Sequence, residues 1–311
     1  MTSGTPTHPF AAAVPGVHVE IVEVSPRDGL QNEAVTVGTE HKKRLVEDLV
    51  AAGVRRIEVT SFVRPDRVPQ MADADALMAS LESRPGVTFV GLVLNRRGAE
   101  RAIRAGIHEL NYVVPATDAF GTRNQGVTTD EALKQLEDIG VLAERAGIPL
   151  SATVAVAFGC PYQGEVPTER VVEVARLALG TSSVRELALA DTIGSGVPHE
   201  VFERFTAVRE ISDVRLRAHF HDTRRTAIAN AQAAIAAGVT ALDASAAGLG
   251  GCPFAPGAAG NVATEDLAWA LRRGGYDTGL DISAIVAAGA QACEHLGTTP
   301  RSGVANAGIF P

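Results

Sequence analysis

Ala51-Ala52-Gly53-Val54, Arg104-Ala105-Gly106-Ile107, Arg145-Ala146-Gly147-Ile148 and Ala236-Ala237-Gly238-Val239 are variants of one phrase. Each closes a helix-like stretch with a glycine, the residue that most readily takes the left-handed conformation ending a helix. Each then opens a run rich in β-branched residues. The intervals between the four glycines correspond to one, one and two β/α units of roughly 30–50 residues. Working outward from the phrase, eight strands are expected: 17–24, 56–60, 88–94, 109–114, 150–157, 186–190, 214–220 and 240–245. Several are nearly continuous apolar runs, such as Val87-Thr88-Phe89-Val90-Gly91-Leu92-Val93-Leu94. Parallel strands covered on both faces read in this way. Helical patterns lie between them. Leu45, Leu49 and Val50 form one apolar stripe, and Ile228, Ala231 and Ile235 another.

Eight strands alternating with helices predict an α/β fold, a (β/α)8 TIM barrel with a C-terminal helical cap. An open doubly wound sheet is the alternative, but no Gly-x-Gly-x-x-Gly opens a first helix. The expected organisation is a disordered tail over 1–16, a catalytic barrel over 17–275 and a helical extension over 276–311.

The chain has 311 residues, enough for a large single core. A net charge of −8 disfavours nucleic acid as a partner. No apolar run reaches membrane-spanning length, so no membrane partner is expected. Three cysteines, Cys160, Cys252 and Cys293, are too few and too scattered for a disulfide framework, which fits a reducing, cytoplasmic setting. Met1 to Pro9 has neither the basic nor the apolar region of a signal peptide.

In a barrel the chemistry sits at the C-terminal ends of the strands. His219 and His221, two apart at the end of the seventh strand, point the same way and form half of a metal site. Asp28 follows the first strand, and Asn261 lies beyond the eighth. Two nitrogens and two oxygens suit a six-coordinate divalent ion, Mg²⁺ or Mn²⁺, with places left for substrate or water. Glu58 and Ser61 end the second strand, Asp191 the sixth, and the glycine-rich run Gly248 to Asn261 carries Cys252. Those glycines suggest a mobile lid.

The run Ser25 to Glu33, the strand end Glu58-Val59-Thr60-Ser61-Phe62-Val63, and Val68-Pro69-Gln70-Met71 resemble hydroxymethylglutaryl-CoA lyase. So do Gly159-Cys160-Pro161-Tyr162, Asp191-Thr192-Ile193-Gly194, His219-x-His221-Asp222-Thr223 and the loop Gly248 to Asn261. The likeness runs from about Val17 to Leu271. It implies a metal-dependent carbon–carbon lyase acting on an acyl-CoA, and a homodimer. It implies that Asp28, His219, His221 and Asn261 hold the metal, that Arg27 polarises the acyl-CoA carbonyl, and that Cys252 is the catalytic thiol. Asp28, Glu58 and His219 all remain candidates for the base. Gln31, Ser61 and Asp191 are expected near substrate, Asp191 by orienting Arg27 or a histidine. A condensing enzyme of the same barrel would share the ligands without needing the Gly-Gly-Cys-Pro loop. A carboxyl-transfer barrel would need a biotin-facing lysine, and Lys42, Lys43 and Lys134 lie away from the strand ends. A metal- or CoA-binding protein without activity would be expected to lack some of the ligands or Cys252.

Two departures from the lyase pattern suggest an altered acyl group. Arg224 and Arg225 stand where a glycine is usual, and Thr117-Asp118 with Asn124-Gln125-Gly126 replace the usual loop after the fourth strand. On that reading Arg225 faces an acyl carboxylate or the CoA phosphates.

Overall fold

A computed structural model of the protein describes residues 17–181, 183–251 and 260–310. Eight parallel strands close in sequence order: β1 Glu20–Glu23, β2 Arg56–Ser61, β3 Thr88–Val93, β4 Glu109–Pro115, β5 Leu150–Ala155, β6 Val184–Asp191, β7 Arg215–Phe220 and β8 Ala241–Ala244. β1 pairs with both β2 and β8, so the barrel has no free edge. The four repeated glycines all take positive φ, at 102°, 81°, 66° and 91°, the conformation their phrase predicts.

Helices ring the barrel. α1 Thr39–Ala51 buries Leu45, Leu49 and Val50 as its stripe predicts. Eight further helices follow between strands or after β8: α2 Ala74–Ser80, α3 Arg96–Arg104, α4 Asp118–Asn124, α5 Thr129–Ala146, α6 Thr168–Leu179, α7 Pro198–Arg209, α8 Ala227–Ala236 and α9 Thr264–Arg273. In α8 the stripe is rotated from the expected one. Ala227, Ala231 and Ala234 face the sheet, and Ile228 and Ile235 lie half-buried at its flanks. The small side chains let the helix lie close to β7. α10 Ile282–Leu296 packs on α1, and α11 Gly303–Ala307 packs on α9.

Branched apolar side chains commonly fill such a barrel. Here its lower interior is charged. Arg56 donates to Glu109 (3.0 and 2.5 Å) and to Glu186 (2.8 and 2.7 Å). Arg217 donates to Glu186 at 2.7 Å and to Asp243 at 2.7 and 2.8 Å. Every charge in this chain of ions has a partner, which buried charges require.

Glu265, in the first turn of α9, is fully buried and accepts from the Ala247 N–H at 3.1 Å. Burial raises its carboxyl to about 7. A raised carboxyl favours the fold while protonated, so its contribution is complete below the ordinary carboxylate range and is lost as pH rises through about 7. Glu265→Gln should therefore remove a loss of stability between about pH 4.5 and 7, worth on the order of 3 kcal/mol. Thermal unfolding of both proteins from pH 5 to 8 checks this. Parallel curves would exclude it.

Candidate active site and metal centre

The chain leaves β1 in a five-residue π-helical turn, Ser25–Gly29. Such turns are rare and often mark functional positions. This one is tightly held: a Cβ on Gly29 would stand 2.7 Å from Ser245 Oγ. It aims Arg27 and Asp28 into a cavity of about 210 Å³ at the C-terminal end of the barrel.

His219 on β7, and His221 just beyond it, line the same cavity, with ring centroids 5.1 Å apart. His221 Nε2 lies 3.6 Å and His219 Nε2 3.9 Å from Asp28 Oδ2. One ligand atom from each of the three lies within 4.8 Å of the others. Burial alone would raise the Asp28 carboxyl. The Arg27 charge and the two histidines outweigh it and hold the carboxyl well below its ordinary range. Asp28 is thus held ionised, which suits a cation and makes it a poor base. Two imidazoles beside an ionised carboxylate, gathered from separate loops and strands, are a donor set that a divalent cation fits.

Asn261 reaches this cluster because its backbone bridges that of His221. It arrives as a donor: Nδ2 bonds Asp28 Oδ2 at 2.9 Å and the Leu249 carbonyl at 3.3 Å. Its position is the expected one, and its amide would have to turn to offer oxygen to a metal.

Arg27 donates from Nε to Glu58 Oε1 and from Nη1 to Asp28 Oδ1 (2.6 Å). Its Nη2 has no hydrogen bond among the described residues, and the guanidinium lines the cavity. Glu58 corrects an expectation. Only 1% exposed, it spends its second oxygen on Asn111 Nδ2 at 2.8 Å. It therefore supports Arg27 and is not an available base.

Gln31 lines the cavity, and Ser61 and Asp191 do not. Ser61 is fully buried, and its hydroxyl finds no partner among the described residues. A bulge between Glu58 and Thr60 shifts the register of β2 at this point, which no residue pattern announced. Asp191 gives both oxygens to backbone, accepting from Ser195 N at 2.8 Å and Gly196 N at 2.9 Å. Its side chain ties the turn after β6 and does not reach Arg27, while its backbone carbonyl accepts from His221 N at 3.3 Å, which keeps the expected link to a histidine.

Arg225 pairs with Asp222 at 3.1 Å on an exposed side chain, and Arg224 donates to the carbonyls of Ile193 and Gly194. Neither side chain lines the cavity. Arg225 holds φ at +60°, which explains a preference for glycine there. Arg225→Gly should gain about 1 kcal/mol from relieved strain, partly offset by the exposed ion pair. Thermal unfolding tests the gain, and kcat/KM over a panel of acyl thioesters should keep its ranking. A changed ranking would restore a role for Arg225 in recognition.

The second loop departure does reach the cavity, through Asn124 and Gln125. Apolar side chains also line the cavity, among them Val63, Val68, Leu92, Leu94, Val113 and Phe120. Asp243 and Asn111 had no place in the sequence reading, yet both line the site. Each is a polar residue at an inward position of an otherwise apolar strand, which was the available signal. Cys252, and the lid reading attached to its loop, lie outside the described residues.

The HMGL-like family model matches residues 18–291. A hydroxymethylglutaryl-CoA lyase of Pseudomonas mevalonii is 42% identical, over 91% of this chain and 94% of its own. A 3-hydroxy-3-isohexenylglutaryl-CoA/hydroxymethylglutaryl-CoA lyase of Pseudomonas aeruginosa is 41% identical, over 93% of this chain and 96% of its own. The crystal structure of hydroxymethylglutaryl-CoA lyase from Pseudomonas aeruginosa superimposes with a TM-score of 0.90 at 39% identity, covering 94% of this chain and 98% of that one.

Proposed function

From a chain that belongs to the HMGL-like family we infer a carbon–carbon lyase that cleaves 3-hydroxy-3-methylglutaryl-CoA to acetyl-CoA and acetoacetate. The observation that carries this reading is the joint placement of Arg27, Asp28, His219 and His221 around one cavity. A divalent ion, Mg²⁺ or Mn²⁺, held by Asp28, His219 and His221, with Asn261 once its amide turns, would lower the pKa of a substrate hydroxyl and polarise its oxygens.

The rest falls to the chain's own groups. The tertiary hydroxyl loses its proton and becomes the ketone of acetoacetate. The bond between that carbon and the thioester α-carbon breaks, and its electron pair passes into the thioester as an enolate. Arg27, its guanidinium fixed by Glu58 and Asp28, offers the enolate oxygen a preorganised donor. Glu58 is committed to Arg27 and Asn111, and a metal-bound side chain is a poor base, so the base is not assigned among Asp28, Glu58 and His219. The α-carbon then takes a proton from the Cys252 thiol, the role the resemblance gives it. Cys252→Ala should lower kcat about 10²-fold with KM within a few fold. Unchanged turnover would move the proton donor elsewhere.

The apolar lining favours one broader reading. A 3-alkyl group larger than methyl would rest on Val113 and Phe120, and the Pseudomonas aeruginosa relative is named for such a substrate. We place hydroxymethylglutaryl-CoA first and propose a homodimer working in the cytoplasm. No helix among the described residues is long and apolar enough to cross a membrane. A coupled assay of acetyl-CoA release with added Mg²⁺ or Mn²⁺ tests the assignment. No cleavage of any 3-hydroxy-3-alkylglutaryl thioester would overturn it.

A further inference from the structure

A residue with no role so far stands directly behind the metal-site histidines. Asp243 pairs in register with His219 across β7 and β8. Its Oδ2 lies 3.1 Å from His219 Nδ1, the ring nitrogen turned away from Asp28, while Nε2 faces the Asp28 carboxylate. Both Asp243 oxygens also accept from Arg217 Nη1, at 2.7 and 2.8 Å. Arg217 is 1% exposed and is anchored in turn by Glu186 at 2.7 Å, which Arg56 holds from the far side. The charged interior of the barrel thus ends at the Nδ1 of a candidate metal ligand.

We propose that Asp243 is a positioning residue for metal binding. It holds His219 with its proton on Nδ1, so that the Nε2 lone pair faces Asp28, and the Arg217–Glu186–Arg56 chain keeps it in that posture. This inference rests on the reading of His219 as a metal ligand. A neutral imidazole has one donor and one acceptor nitrogen, and the partner of one fixes the task of the other. A carboxylate can only accept, so it selects the Nδ1–H form. Both Asp243 oxygens are held by the Arg217 guanidinium, which fixes the carboxylate facing the ring. Asp243 is 5% exposed and cannot swing out to water, so the ring is fixed as well as the proton. Supporting carboxylates of this kind commonly affect metal affinity by about 10–100-fold.

The test uses the full-length protein and two readouts independent of turnover. Nitrogen-15 NMR of the metal-free wild type, at a pH where the ring is neutral, should show His219 protonated on Nδ1. An Nε2-protonated His219 overturns the proposal without any variant. Mn²⁺ titration followed by electron paramagnetic resonance should then give a dissociation constant about 10–100-fold weaker in Asp243→Asn. The amide can donate to Nδ1, so the variant admits the other tautomer and its spectrum should show a mixture. Unchanged Mn²⁺ affinity and an unchanged tautomer in a folded variant also overturn the proposal. If the variant fails to fold because Arg217 loses its partner, the wild-type spectrum decides alone. A wild type that shows the Nδ1–H ring and binds Mn²⁺ but cleaves no acyl-CoA would sink the lyase reading and leave this one standing.

Discussion

Chelation should abolish cleavage of hydroxymethylglutaryl-CoA, and Mg²⁺ or Mn²⁺ should restore it. The expectation follows from what the site lacks without a cation. The substrate hydroxyl is far too weak an acid for an imidazole to deprotonate efficiently, and a bound cation lowers such a pKa by many units. Asp28 cannot substitute, because Arg27 and the histidines keep it ionised and committed. His219→Ala removes a candidate ligand from the cluster and should reduce kcat/KM by at least about 10²-fold. Asn261→Ala should do less. A neutral amide is the weaker ligand, and here its nitrogen already serves Asp28. Metal content by mass spectrometry alongside turnover separates the two effects. Full activity in protein stripped of metal would end this account.

The barrel was legible because its signal repeats. A glycine at positive φ must end each helix of the repeated phrase, and apolar runs must be covered on both faces. His219 and His221 were legible for a related reason: alternation on a strand places residues two apart on one side. What escaped was set by contacts between distant strands. Nothing near Asp243 in sequence announces Arg217 or His219, because the contact arises from the register of β7 on β8. Glu58 stood among three candidates for the base because a carboxylate at a strand end looks available until Arg27 and Asn111 are seen to occupy it. Ser61 is buried and does not line the cavity, and the +60° φ of Arg225 is a backbone conformation that single residues do not encode. Which candidate side chains share a face is thus readable from spacing. Their supports are readable only once the barrel closes.

Arg27→Gln should lower kcat by about 10²–10³-fold while KM moves only a few fold. The guanidinium is held on two sides, by Glu58 through Nε and by Asp28 through Nη1, which leaves Nη2 for the cavity. A donor fixed in this way is worth more to the enolate than to the neutral thioester, so its loss falls on the transition state. The same substitution strips Glu58 of its cation at a position only 1% exposed, and removing one partner of a buried pair typically costs about 3–5 kcal/mol of stability. Urea unfolding must therefore accompany the kinetics. Arg27→Lys should not restore the rate, because one ammonium cannot reproduce the planar fork that spans both carboxylates. Glu58→Gln gives the complementary measurement. It leaves the guanidinium in place with one support weakened, so its kcat should fall less than that of Arg27→Gln. If Arg27→Gln retained more than a tenth of wild-type kcat in a folded protein, the enolate would have to be stabilised by another group.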